Sequence, residues 1–291
     1  MKRIALFILT NLAIVLVLSV VAQLTGLDSW LARRGESLDG LLAFAALFGF
    51  SGALISLCLS KWLARRTLGV RMIETPASAL EQWLLETVRA LTQRAGIGMP
   101  EVGIFESAQP NAFATGPQRD RALLAVSSGL IAVMDRQEIE AVLGHEITHI
   151  ANGDMVTLTL IQGVVNTFVI FLARIVGNIV DRALTRDADS RGPAYLVTVL
   201  FTQLVLGVLA SMLVMWFSRQ REFRADAGGA RLVGRDRMIA ALQRLQQARH
   251  QPLPAQLSAF GISGGEAHGW QHLFLSHPPL AARIAALRAR P

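Results

Sequence analysis

Four stretches of this chain, residues 4–27, 40–60, 155–173 and 192–218, contain no Asp, Glu, Lys or Arg. Each is close to or beyond the roughly 20 apolar residues that a helix needs to cross a bilayer. Around them the chain is poor in charge: 17% of residues are charged and 52% hydrophobic, where a soluble domain carries about a quarter charged residues. This excludes a disordered or acidic-tail protein and argues against an ordinary cytosolic enzyme. Lys and Arg number 28 against 21 Asp and Glu. They form no long run and no patch interleaved with aromatics, so no nucleic-acid partner is expected. They flank the apolar stretches instead, as basic residues do beside a lipid bilayer. The single cysteine, Cys58, excludes an intramolecular disulfide and a Cys-x-x-Cys site.

The flanking charges predict an orientation. Lys2 and Arg3 precede the first stretch, Lys61, Arg65, Arg66 and Arg71 follow the second, and Arg219, Arg221 and Arg224 follow the fourth. The connectors at 28–39 and 181–191 mix both signs. The positive-inside bias puts both termini and the central polar region in the cytoplasm. The first stretch opens like a secretory signal, but its apolar run is too long and no small-residue cleavage site closes it, so it reads as a retained anchor. The third is the weakest, with Gln162 and Asn166 inside it and Arg174 just beyond. The expected organisation is two membrane helices in 1–60, the first part of a cytoplasmic domain in 61–154, a membrane hairpin in 155–217, and the second part of that domain in 218–291.

The polar regions read as mainly helical with a small sheet, an α+β domain. Ser78 with Glu81 is a capping-box pattern, and Leu80, Trp83, Leu84, Val88 and Leu91 follow at helical spacing. Residues 96–100 end that helix. Three β-like runs follow at 101–105, 111–116 and 122–127. Asp135 with Glu138 opens a second helix, whose apolar face is Ile139, Val142, Leu143 and Ile150. Further helices are expected over 221–233 and 238–248, and another after Pro278 and Pro279.

On the helix opened by Asp135 stands His145-Glu146-Ile147-Thr148-His149. Residues four apart share one helical face, so two imidazoles there suit one zinc ion, with Glu146 beside them to take a proton from a bound water. A catalytic zinc needs a third protein ligand and an open position. An extended motif with a third histidine would need His at position 155, where Met155 stands. The remaining choices are Glu222, with Asp226 one turn later, and the histidines His250, His268, His272 and His277. Taken alone, Glu222 and Asp226 also fit a salt-bridged surface helix with Arg219, Arg221 and Arg224. Two crossings separate His149 from Glu222, and an even number returns the chain to the same side.

Five segments carry a wider resemblance: Pro110 to Gly116, Gly144 to His149, Asn152 to Met155, Arg221 to Asp226, and Ser276 to Leu280. Together with the spacing of the apolar stretches, they resemble the membrane-bound zinc metalloproteases related to the CAAX prenyl proteases. The resemblance implies a zincin-like, mainly helical domain with four transmembrane helices and one zinc per chain. It implies His145, His149 and Glu222 as ligands, Glu146 as the base and Asp226 as a support behind a ligand. It also implies a bacterial inner-membrane protein that degrades damaged or misfolded membrane proteins or other polypeptides. Within it, Asn111, Ala112, Phe113 and Ala114 look like an edge strand on which substrate backbone pairs. His277 or Arg283 would face the developing oxyanion. Glu222 is favoured over the four histidines because it directly follows an apolar stretch, whereas they lie on or near a glycine-bearing loop, a poor platform for a rigid site. A metal-binding scaffold would have no use for Glu146. A transporter would carry more ionisable groups in its spans.

Overall fold

The computed structural model describes residues 37–184, 193–248 and 275–289. The first apolar stretch, the connector around 185–191, and His250, His268 and His272 lie outside the described residues. By internal packing the chain divides into two units, Met1–Leu54 with Leu160–Ala210, and Ile55–Thr159 with Ser211–Pro291.

Three long helices carry the described apolar stretches: α1 (Leu38–Leu68), α5 (Asp154–Leu184) and α6 (Pro193–Val233). All three are long and apolar enough to cross a membrane. In the first unit they leave large apolar side chains uncovered. Phe201 is 66% exposed and Leu204 67%, an arrangement suited to lipid. Close packing rests on small residues, as is usual between membrane helices. A Cβ at Gly49 would stand 2.6 Å from the Thr167 backbone nitrogen, and one at Gly163 2.6 Å from the Phe50 ring. The polar groups that weakened the third stretch have partners. Gln162 donates to Asn166 at 2.9 Å, and the Arg174 guanidinium lies 4.2 Å from the Phe44 ring centroid. The helices also outrun the stretches read from sequence. α6 is one unbroken helix of 41 residues, because no Gly-Pro break or cap separates its apolar part from the Arg- and Glu-bearing turns. The separate helix expected over 221–233 is the end of α6.

The second unit is built on a four-stranded mixed sheet of β1 (Arg71–Met72), β2 (Glu101–Phe105), β3 (Ala112–Thr115) and β4 (Leu123–Ser127), in the order β1-β2-β4-β3. β2 and β4 are parallel, and the other two pairs are antiparallel. Strand alternation divides the apolar residues between two faces. Val102, Ile104, Leu124 and Val126 join the main core, while Phe105, Phe113, Leu123 and Ala125 face the other side with Ala64 and Val70. The main core is completed by α2 (Ala79–Ala95), α4 (Arg136–Asn152), α7 (Arg235–Ala248) and α8 (Leu280–Arg288), through Leu84, Leu91, Leu143, Ile147, Leu242 and Ile284. A short helix α3 (Ser128–Val133) follows β4.

Local signals place the helix ends. Ser78 caps α2 by accepting from the Glu81 nitrogen, but Glu81 turns to the Ala77 nitrogen and Arg71, so the box is half formed. Asp135 and Glu138 form the complete box on α4. α2 ends at Gly96 and α4 at Gly153, both with positive φ, 67° and 65°, the left-handed cap that glycine adopts without a Cβ penalty.

Candidate metal centre

α4 is enclosed over its second half, residues 141–148 all being buried. Leu143, Ile147 and Ile150 pin it in the core, and this turns His145, Glu146 and His149 toward α6. His145 is fully buried and Glu146 4% exposed. The ring nitrogens His145 Nε2 and His149 Nε2 are 3.1 Å apart. Glu222, from α6, completes a triangle, with Oε2 3.5 Å from His145 Nε2 and Oε1 3.3 Å from His149 Nε2. These three side chains offer one ligand atom each to a single point, all within 4.8 Å of one another.

Two carboxylates stand behind the imidazoles. Asp226 Oδ1 lies 3.0 Å from His145 Nδ1, and Asp154 Oδ2 lies 2.7 Å from His149 Nδ1. A carboxylate at Nδ1 fixes the proton there and leaves Nε2 with its lone pair. With both Nδ1 atoms so engaged, the two Nε2 atoms face each other and the Glu222 carboxylate, a cluster that a bound metal ion would satisfy. The Nε2 and carboxylate separations match the edge of a coordination tetrahedron with bonds of about 2.1 Å, which is about 3.4 Å. Among the described residues Glu222 Oε2 is buried with no hydrogen bond of good geometry, although His277 Nδ1 lies 2.8 Å away. Without a metal ion, a proton can take its place between these groups. Burial opposes a charge on His149, but the Glu222 carboxylate and the hydrogen bond to Asp154 outweigh it, pushing His149 up to about 10. The His-His-Glu donor set fits zinc, whose catalytic sites take three such ligands. Glu146 is shifted up by burial.

The remaining sequence candidates sit around this triangle. His277 Nδ1 is 2.8 Å from Glu222 Oε2. Arg283 is fully buried, giving Nε to Asp226 Oδ2 at 2.8 Å and Nη2 to Oδ1 at 2.6 Å, with Nη1 3.6 Å from Glu222 Oε2. Ala112, Phe113 and Ala114 lie in β3, which ends the sheet and rests against α4. Asn111 precedes β3 and is tied to the end of β4: its N–H donates to Ser127 Oγ and its carbonyl accepts from the Ser127 N–H, both at 2.9 Å. Asp154 and Arg221 escaped the sequence reading. The Gly153-Asp154 pair was the available signal, because a left-handed glycine after His149 turns the next residue back over the last turn of α4.

With this geometry described, the likeness to known proteins is informative. The profile of peptidase family M48 matches residues 78–291. The chain is 60% identical over 289 residues to a protease HtpX homolog of Thiobacillus denitrificans, with 99% of each chain covered. It is also 60% identical over 291 residues to protease HtpX of Nitrosococcus oceani, again with 99% of each covered. Among solved structures it is similar to the crystal structure of S. mikatae Ste24p, with a TM-score of 0.61 at 17% identity over 97% of this chain and 67% of that one. That likeness is one of fold. A match across most of the chain, with full-length relatives at 60% identity, means that the chain belongs to peptidase family M48 and is an integral membrane protease of that family.

Proposed function

We propose that this protein is a zinc-dependent endopeptidase held in the bacterial inner membrane by four helices, with its active site and both termini in the cytoplasm. The observation that carries the reading is the convergence of His145, His149 and Glu222 with their lone pairs facing one point. These three residues hold one zinc per chain. A zinc ion held there would supply Lewis acidity, for polarising the scissile carbonyl and acidifying the attacking water.

The chain's own groups supply the rest. Glu146 accepts the proton of the attacking water and returns it to the leaving amine. Its burial raises its affinity for a proton, which suits a base that must also act as an acid. Asp226 fixes the His145 ring, and Arg283 holds Asp226 from behind. His277, 11% exposed at its side chain, is better placed than the enclosed Arg283 to steady a developing oxyanion. The backbone of β3, from Asn111 through Ala114, aligns an extended substrate as an added strand. The substrates are polypeptides, in particular damaged or misfolded membrane proteins reached at the membrane surface.

The test uses purified full-length protein, its zinc content and casein cleavage, compared with Glu146→Gln. The variant keeps the shape of the site but cannot take a proton. It should retain zinc and lose at least about two orders of magnitude of cleavage. Near-parental cleavage would remove Glu146 from the mechanism.

A further inference from the structure

Resting on that reading of the centre, we propose that Asp154 is a positioning residue for His149, and that Arg221 holds it in place. The evidence starts with where the Asp154 carboxylate goes. Asp154 is the first residue of α5, one past the capping position, where an acid interacts favourably with the helix dipole. Its Oδ2 bonds His149 Nδ1 at 2.7 Å. Asp154 is only 2% exposed. A carboxylate left in such a place needs a partner, and the partner is His149.

Its backbone is held as well. Arg221 Nη1 donates to the Asp154 carbonyl at 3.0 Å and Nη2 to Ser218 Oγ at 2.9 Å. Arg221 is 9% exposed and immediately precedes Glu222. One guanidinium therefore ties the residue behind His149 to the turn of α6 that carries Glu222. The arrangement parallels the other side of the centre, where Asp226 backs His145 and Arg283 backs Asp226. Each imidazole has its own carboxylate; Arg283 grips the carboxylate of Asp226, whereas Arg221 holds the main-chain carbonyl of Asp154. A carboxylate at Nδ1 fixes the ring's tautomer and orientation and raises its basicity toward a metal, and its loss typically costs about 10–100-fold in metal affinity.

The experiment measures zinc affinity by competition with a chromogenic chelator, alongside the unfolding midpoint of the metal-free proteins. Asp154→Ala should bind zinc about 10–100-fold more weakly, with a metal-free midpoint close to the parent's. Asp154→Asn keeps an acceptor for Nδ1–H and should lie between the two. Arg221→Met should weaken zinc binding in the parent background and by less in the Asp154→Ala background, because its hold on the Asp154 carbonyl reaches His149 through the Asp154 carboxylate. If Asp154→Ala folds poorly, the Asn variant and the Arg221→Met pair carry the test alone. Parental zinc affinity in these Asp154 variants, beside a Glu222→Ala variant that has lost zinc, would overturn the role of Asp154 and leave the centre standing. Parental affinity in Glu222→Ala and His149→Ala as well would instead overturn the centre.

Discussion

Gly228 lies two residues beyond Asp226, on the face of α6 that meets α4. A Cβ placed there would stand 2.2 Å from Thr148 Cγ2, 2.8 Å from its Oγ1 and 3.0 Å from its Cβ. Carbon atoms rest about 3.5–4.0 Å apart, so Gly228→Ala requires the two helices to open by about 1.3 Å or more at this point. Thr148 has little room to turn aside. It is 6% exposed, its Oγ1 donates to the Gly144 carbonyl at 2.8 Å, and β-branched side chains in helices have few χ1 choices. The neighbouring Gly229 is also tightly packed, though less so, its Cβ position 3.1 Å from the His145 nitrogen. Overpacking of this kind costs about 1–3 kcal/mol, and alanine in place of a helical glycine recovers about 1 kcal/mol. The net loss of stability is therefore small, about 0–2 kcal/mol. The effect on the centre is larger, because α4 carries His145 and His149 and α6 carries Glu222. An opening of about 1 Å in a reacting constellation costs on the order of 100-fold in rate. Purified Gly228→Ala should unfold within a few degrees of the parent, cleave casein about 100-fold more slowly and hold zinc less tightly. Adding Thr148→Ala removes Cγ2 and Oγ1 and should restore most of the lost rate. Parental cleavage by Gly228→Ala, or a double variant no faster than the single, would refute the close approach as the reason for glycine here.

Glu222→Ala should abolish cleavage and sharply weaken zinc binding, while His250→Ala, His268→Ala and His272→Ala keep one zinc per chain by metal analysis; a histidine variant that loses its zinc would reassign the third ligand. Leu143 is fully buried on α4, and Leu143→Ala should cost about 2–5 kcal/mol in denaturant unfolding, a cost under about 1 kcal/mol marking a site that collapses freely. Asp135→Ala, which removes both bonds to the Gln137 and Glu138 nitrogens, should cost about 0.5–2 kcal/mol by the same assay. Reporter fusions after Lys61 and after Arg219 should report cytoplasm and fusions near Arg34 the far side; a far-side signal after Lys61 would reverse the orientation read from the basic residues.

Features governed by neighbours in the chain were legible from the sequence. An uncharged run long enough for a membrane helix is a local property, as are the caps at Ser78 and Asp135 and the glycine stop at Gly96. The strand at 101–105 has the bounds its residues predict, because β-branched and apolar side chains set it between Pro100 and polar Glu106. The four-residue spacing of His145 and His149 places both rings on one face of any helix that forms there. Other features depended on segments far apart in sequence meeting in space. β1 is two residues long and exists only because β2 offers it an edge. The order β1-β2-β4-β3 leaves β3 at the end of the sheet, which no residue within β3 specifies. Glu222 was favoured over the four histidines by its place after an apolar stretch, and only the crossing of α6 and α4 at Gly228 and Gly229 brings it beside His145 and His149. Asp154 had no role assigned from the sequence, and its carboxylate meets His149; Arg283, a candidate to face the oxyanion, is enclosed against Asp226. Spacing along one helix fixes which side chains share a face. Packing between helices decides which faces meet, and therefore how three donors come to surround one point.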